Sequence, residues 1–417
     1  MNPPVIIIGA GIVGVAAAMH LQRDGRDVVI IDMQDPGEGA SFGNAGCLNP
    51  SSVVPVGMPG VIKQVPGWLT DPLGPLAIRP TYLPKLVPWL WQLWKASSPE
   101  RVREIASALR PLLADPVERH RELAREAGVE QLIQQRGHLF VYSSEAGWKK
   151  DEAATGLRMQ NGIKMWEVKR EELREMEPDL SPDFIRGRLF TENGHVSNPG
   201  RLVKSLAESV VKRGGRIVKE KVIGFETNDQ GVTAVRTDRG SHPCSHVVLA
   251  IGAWAKKLAA ELGDRVPLDT ERGYHIMIKD PESAPRIPTM WVEGKVVATP
   301  METGIRFASM VEFAGIDAPP NWARAYNQLK IGQKMLPALA KEYPEARLTK
   351  WLGFRPSMPD SLPVIGAASR YKNAIHAFGH GHVGLASGPT TGGLVADLIA
   401  ERAPRISIDA FSPRRFN

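Results

Sequence analysis

Three glycine-rich segments hold the residues of this chain best suited to chemistry. The first, Gly9-Ala10-Gly11-Ile12-Val13-Gly14, follows the solid apolar run Val5-Ile6-Ile7-Ile8 and leads into the alanine-rich stretch Val15 to Leu21. A second apolar run, Val28 to Ile31, ends in Asp32. This order reads as strand, glycine turn, helix, strand and acid, which is the pattern of a dinucleotide site. Gly9 permits the tight turn, Gly11 lets backbone approach a pyrophosphate, and Gly14 lets the helix pack on the strand. The helix start offers free N–H groups and a positive dipole end to phosphate. Asp32 follows Gly11 at about the twenty-residue spacing of a carboxylate that accepts hydrogen bonds from ribose hydroxyls. No arginine follows Asp32 directly, which disfavours a 2′-phosphate nucleotide.

Just beyond lies Ser41-Phe42-Gly43-Asn44-Ala45-Gly46-Cys47, whose small residues admit a cofactor and whose Ser41 and Asn44 can donate hydrogen bonds. The second glycine-rich segment, Gly353-Phe354-Arg355-Pro356, runs on through Asp360 to Leu362-Pro363-Val364-Ile365-Gly366. The third is Gly379-His380-Gly381-His382-Val383-Gly384-Leu385, followed by Pro389-Thr390-Thr391-Gly392 and a helix expected over 391–401. Its glycines would aim several N–H groups at one point, and the helix start adds its dipole. That suits the negative charge of a reduced flavin at N1 and C2=O. His380 and His382 have no companion cluster with ligand spacing, so no metal site is expected.

The elements that position these segments read as α/β at both ends. One or two helices are expected over 99–128, a strand over 137–142 and a helix over 145–161. A helix at 201–213 precedes strands at 216–218 and 221–226. A hairpin turns at Asn228-Asp229-Gln230-Gly231, and an apolar strand at 245–251 ends at Gly252-Ala253-Trp254. Between 267 and 350 the texture is that of a mixed sheet. Residues 51–98 are dense in Pro and Trp, for which short pieces and loops are expected.

Composition narrows the class. Hydrophobic content of 43% and charged content of 23% over 417 residues are those of a globular protein with ample core. Two cysteines, Cys47 and Cys244, exclude a disulfide framework and fit a reducing compartment. No apolar run approaches the roughly 18 residues of a spanning helix. The first apolar run lacks a basic flank, so it is read as a strand and not a signal peptide, and a cytoplasmic location is expected. The formal charge of +7 is scattered without interleaved aromatics, so nucleic acid is not an expected partner. Trp68, Trp89, Trp91 and Trp94 crowd one short region flanked by Lys85 and Lys95. Either this region rests on an anionic membrane surface or its tryptophans pack inside the second domain or on another subunit.

Together, these motifs resemble the FAD-dependent amino-acid and amine oxidoreductases of the D-amino-acid oxidase and glycine oxidase superfamily, and within it the bacterial D-amino-acid dehydrogenases. The resemblance covers essentially the whole length. It implies a discontinuous Rossmann-like FAD-binding domain, residues 1–60, 196–262 and 353–417, and an α+β substrate domain with a mixed sheet, residues 61–195 and 263–352. Gly9, Gly11 and Gly14 would hold the pyrophosphate and Asp32 the ribose. Ser41, Asn44, Ala45 and Gly46 would line the pyrophosphate and flavin edge. Val222 matches the position whose backbone reads adenine, and Gly252 and Trp254 a turn near the cofactor. Gly381, Val383, Gly384 and Leu385 would face the flavin pyrimidine. Arg355 matches the arginine that pairs with the substrate carboxylate, and Tyr274 a tyrosine near the substrate. A guanidinium can grip a carboxylate with two parallel hydrogen bonds. No cysteine lies near the C-terminal glycine loop in sequence, so FAD is expected to be non-covalent.

The implied reaction is hydride transfer from Cα of a D-amino acid to flavin N5. The imino acid hydrolyses to a 2-oxo acid and ammonia, and the electrons pass to a quinone-type acceptor. The amine must be neutral at transfer, so activity rises with pH. No side chain is assigned as an essential base. The alternatives are a secondary-amine oxidoreductase acting on proline-like or N-methyl amino acids, an L-amino-acid oxidoreductase, and a non-catalytic FAD-binding subunit of a larger oxidase complex.

Overall fold

The computed structural model describes residues 3–416. Five parallel strands form its centre, in the order Arg216–Lys219, Val28–Asp32, Val5–Ile8, His246–Leu249 and Ala374–Phe378, with Val364–Ala367 antiparallel at the edge. The central strands are apolar throughout because both faces are covered. Val5, Ile7, Val28 and Ile30 point to a layer of helices, Ile12–Arg23, Pro199–Lys212 and Gly384–Ile399. Ile6, Ile8, Val29 and Ile31 point the other way, onto the Ala255–Glu261 helix and the antiparallel hairpin Val222–Asn228/Gly231–Thr237.

A second, nine-stranded sheet stands beside it. Its path runs Leu348–Ser357, Asp269–Lys279, Gly304–Phe313, Val296–Met301, Thr289–Trp291, His138–Tyr142, Arg186–Phe190 and Trp166–Lys169, with Leu76–Ile78 pairing Gly304–Phe313. The Leu348–Ser357 strand pairs with Asp269–Lys279 from Leu348 to Ser357, across the boundary expected at 352/353. Residues 353–357 therefore belong to the second sheet.

Three elements depart from expectation, each for a local reason. The helix expected over 145–161 is two helices, Glu145–Lys150 and Glu152–Gln160. At the break, the Asp151 carboxylate accepts hydrogen bonds from Tyr142 Oη at 2.7 Å, Arg188 Nη1 at 3.1 Å and Thr155 Oγ1 at 3.2 Å. In the Pro/Trp region, Leu83–Lys95 is a continuous helix with Pro88 inside it. The N–H that Pro88 lacks would have reached the carbonyl of residue 84, and Pro84 is exposed, so that carbonyl is left to water.

The last helix begins at Gly384, seven residues earlier than expected, and runs through Pro389. Pro389 orphans the Leu385 carbonyl four residues back. His120, from the helix Pro116–Glu126, fills the vacancy: its Nε2 donates to Leu385 O at 2.8 Å. Burial pushes the His120 pKa down to about 4, so the ring is neutral and its Nε2 carries the proton.

Replacing His120 with Leu leaves that carbonyl buried and unpaired. Thermal or urea unfolding should show a loss of about 1–3 kcal/mol. Burial also holds His20, His138, His195, His275 and His380 low, at about 3 to 4. A depressed histidine binds its proton less readily folded than unfolded. Stability should therefore fall as pH drops from about 6.5 towards 4, and His120→Leu should show a shallower fall across that window.

Candidate functional site

The glycine turn is built by close contacts on one side and open space on the other. Gly9 has φ +116°, and a Cβ there would lie 2.5 Å from the Ala250 carbonyl oxygen. A Cβ on Gly14 would lie 2.0 Å from Gly9 O, so helix and strand touch backbone to backbone. A Cβ on Gly11 would meet only Ser41 Oγ, at 3.3 Å, and otherwise projects into the cavity that Gly11 lines. Asp32 fastens the loop: Ala10 N donates to its Oδ2 at 2.7 Å and Gln34 N to its Oδ1 at 2.9 Å. Each oxygen accepts one of these bonds and can accept another, and Asp32 lines the cavity. Ser41 accepts from Ile12 N at 3.0 Å, at the helix start.

Asn44 uses its side chain within its own loop. Its Nδ2 donates to the carbonyls of Ala40 and Ser41, and its Oδ1 accepts from Gly46 N at 2.8 Å. The expectation of a donor to the cofactor is thus replaced by a loop brace. The second sheet holds the same loop through Thr299 Oγ1 to Ala45 O at 3.0 Å and Arg306 Nη1 to Asn44 O.

Gly9, Gly11, Ser41 and Asn44 line one wall of a cavity of about 560 Å³ that runs from the glycine turn to Arg355. Asp32, Ala45, Val222, Gly252, Trp254, Gly381, Gly384 and Leu385 line it as well. Gly381 has φ +52° and no atom within 4 Å of an added Cβ, so its backbone is bare to the space. Gly14, Gly46 and Val383 do not line it. Gly14 and Gly46 serve close packing, since a Cβ on Gly46 would lie 2.6 Å from Val196 O, and Val383 is buried in an apolar cluster. The cavity thus offers a carboxylate at one end, bare glycine backbone at two places and a helix start. These features fit FAD.

Sequence spacing missed several lining residues. Met33 is an exposed apolar residue directly after Asp32, and Lys221, Ile223 and Lys257 flank positions that were anticipated. Cys47 also lines the wall although it is remote in sequence from the C-terminal loop. Burial pushes its thiol up to about 12, which keeps it protonated and a poor nucleophile. His382 projects exposed into the cavity and has no hydrogen bond to any described residue. His380, by contrast, is buried and bonded to Thr391 Oγ1 at 3.0 Å. Among the described residues no cluster of His, Cys, Asp or Glu is arranged to hold a metal ion.

Arg355 reaches the cavity from the paired strands of the second sheet. It lies opposite Glu271, and its guanidinium folds over Gly273, where a Cβ would lie 2.7 Å from Arg355 Cζ. Only glycine leaves room for it. Nη1 donates to Met310 O at 3.3 Å, its one hydrogen bond to the described residues, so further donors remain available. Burial lowers the Arg355 pKa and the Glu271 carboxylate opposes this. Glu271 is itself buried and accepts from Ser357 Oγ at 2.6 Å.

Tyr274 is not brought to this cavity. Its phenol donates to Glu312 Oε2 at 2.6 Å and accepts from Asn321 N at 3.0 Å. Neighbouring residues of a strand point to opposite faces, so Gly273 and Tyr274 part company at the sheet. Burial and the Glu312 hydrogen bond push the phenol up to about 12. Its position corrects the expectation of a substrate contact: Tyr274 belongs to a buried charge cluster with Glu312, Arg79 and Arg272.

A parallel sheet with a glycine turn, an acid at the second strand end and a bare glycine loop at a helix start define a dinucleotide-binding flavoprotein. Comparison with known proteins names the family. Residues 4–398 match the DAO family, described as FAD dependent oxidoreductase. Over 415 residues the chain is 43% identical to a D-amino-acid oxidase of Bradyrhizobium diazoefficiens, covering 99% of this chain and 98% of that protein. It is 28% identical to a D-amino acid dehydrogenase of the same organism, with 99% and 98% covered. Its fold is shared with glycine oxidase from Geobacillus kaustophilus, at a TM-score of 0.73 and 22% identity, with 99% and 98% covered. The chain belongs to the DAO family and is an FAD-dependent oxidoreductase.

Gly11→Val should fold and lose its cofactor. The added side chain meets little protein but occupies cavity space needed by the pyrophosphate. Near-native circular dichroism with loss of the flavin absorbance is the expected result.

Proposed function

We propose that the protein oxidises a D-amino acid to the imino acid, which water converts to a 2-oxo acid and ammonia. The observation that carries this reading is Arg355: a cation with unused donors, seated over Gly273, at the end of the FAD cavity. FAD, held without a covalent bond, supplies the acceptor for the hydride that leaves Cα. Gly9, Gly11, Asp32 and Ser41 are assigned to its dinucleotide half, and Gly381, Gly384 and Leu385 to its ring. Residues 1–60 and 196–262, with the chain beyond the Leu348–Ser357 strand, act as the FAD-binding unit, and the second sheet presents the substrate.

Arg355 orients the substrate by its carboxylate, and holding Cα in place is most of what this chemistry needs of the protein. The 43% identity to a D-amino-acid oxidase favours the D-configuration. The relatives divide on the acceptor, with 43% identity to an oxidase and 28% to a dehydrogenase, so the quinone-type acceptor rests on the surface described below and not on the relatives. Purified holoprotein should reduce an artificial dye with D-amino acids and not with their L-enantiomers, and exclusive reduction by L-amino acids or secondary amines would overturn the reading. Arg355→Lys keeps the charge and loses the planar fork. It should raise KM by an amount equivalent to about 2–5 kcal/mol of lost binding while FAD content is retained.

The acceptor reading extends to the surface. The helix Leu83–Lys95 is apolar on both sides. Leu86, Trp89, Leu90 and Leu93 face inward, and Trp89 Nε1 donates to Ser357 O at 3.3 Å, two residues from Arg355. Val87, Trp91 and Trp94 face out, each more than half exposed, with Lys95 Nζ 5.4 Å from the Trp91 ring centroid. An apolar helix face left in water calls for a partner. Tryptophan and lysine together suit the interface of an anionic membrane, where a quinone resides. No helix among the described residues is long and apolar enough to cross a membrane, so the contact would be peripheral. The protein should float with anionic liposomes at low salt, and Trp91→Ser with Trp94→Ser should release it with its flavin intact.

A further inference from the structure

Resting on the D-amino-acid reading, we infer that His382 takes the proton from the substrate ammonium. The geometry is that of two adjacent strands and one loop meeting at a corner of the cavity. Arg355 comes from Leu348–Ser357, Glu271 lies opposite it on Asp269–Lys279, and His382 projects from the glycine loop with no protein partner. The other histidine of the loop, His380, is turned to Thr391 and is unavailable. A substrate gripped by its carboxylate at Arg355 carries its ammonium on the adjoining Cα, inside the same cavity that His382 lines.

The charges around the ring make this base conditional. Although the ring has surface open to the cavity, the protein packed around it strips away water and lowers the His382 pKa, the Glu271 carboxylate raises it, and the Arg355 cation lowers it. These two side chains, one from each adjacent strand, are the charged groups that act on the imidazole. In the free protein the ring is neutral and weakly basic. When a carboxylate pairs with Arg355, the cation that opposed protonation is neutralised and Glu271 remains, so the ring becomes a stronger base. The ammonium N–H bond then breaks with its electron pair left on nitrogen, and the proton forms an N–H bond on the imidazole. The neutral amine is the form from which hydride can leave, and the imidazolium returns its proton to solvent.

Two measurements test this. The first uses propionate, a carboxylate with no amine to oxidise, and titration calorimetry in buffers of different ionisation enthalpy. Holoprotein between pH 6 and 7 should take up protons on binding propionate, and His382→Gln should bind it without that uptake. The second is the pH profile of kcat/KM with a D-amino acid found in the dye screen. At pH 7 His382→Gln should be about 10²-fold slower than the parent. The deficit should vanish at high pH, where the ammonium ionises unaided, and a merely structural defect would persist there. Equal proton uptake in both proteins, or a deficit constant with pH, overturns the role of His382. Failure of propionate to bind, with no flavin reduction by any D-amino acid, overturns the D-amino-acid reading as well.

Discussion

The site depends on one strand pairing. Leu348–Ser357 runs antiparallel to Asp269–Lys279, with Arg355 opposite Glu271 and Gly353 opposite Gly273. This register does three things together. It puts a cation beside a buried carboxylate, it sets bare glycine backbone under the guanidinium, and it ends next to the glycine loop of the cofactor sheet. A one-residue slip of Leu348–Ser357 would turn Arg355 to the opposite face. The chain then passes directly from this strand to Val364–Ala367 in the other sheet, so Arg355 and the cofactor cavity are coupled through a short length of backbone.

The opposite face of the same strands shows why the pairing can hold so much charge. Glu312 accepts from Tyr274 Oη and pairs with Arg79 at 2.9 Å and with the fully buried Arg272 at 3.5 Å. Arg324, also fully buried, donates to the carbonyls of Pro72, Gly74 and Val311. Buried ions are costly unless paired and hydrogen-bonded; the Arg79 and Arg324 contacts meet that condition and specify one arrangement of the sheet against the 72–79 segment, while Arg272 is held by its ion pair alone.

Backbone accounting explains the elements that carry FAD. The first and last cofactor helices pack so closely that a Cβ on Gly392 would lie 2.7 Å from the Ala16 carbonyl carbon. That contact places both helix starts on one cavity. It also forces Pro389 to sit inside a helix, and the structure meets the cost with a histidine from a third helix. The cavity wall therefore extends, through hydrogen bonds, to residues that never touch it.

Much of this was legible in the sequence because glycine and acid spacing act through local backbone geometry. Gly9, Gly11 and Asp32 do their work within one strand–turn–helix–strand unit, and the family resemblance carried that unit to FAD. The early start of the last helix was not legible, because a proline reads as a break until a donor from elsewhere is known to satisfy the freed carbonyl. Nor was the helix Leu83–Lys95, whose tryptophans divide between core and solvent only once it is docked. Tyr274 and His382 exchanged standing for the same reason. Which face of a strand meets a cavity is set by register with a partner some eighty residues away, and which loop histidine lacks a partner is set by the helix behind it. Sequence alone determined the class of cofactor site, through residues close in the chain. The tertiary structure decided which charged groups surround Arg355, because those groups meet only across strand pairs and packed elements.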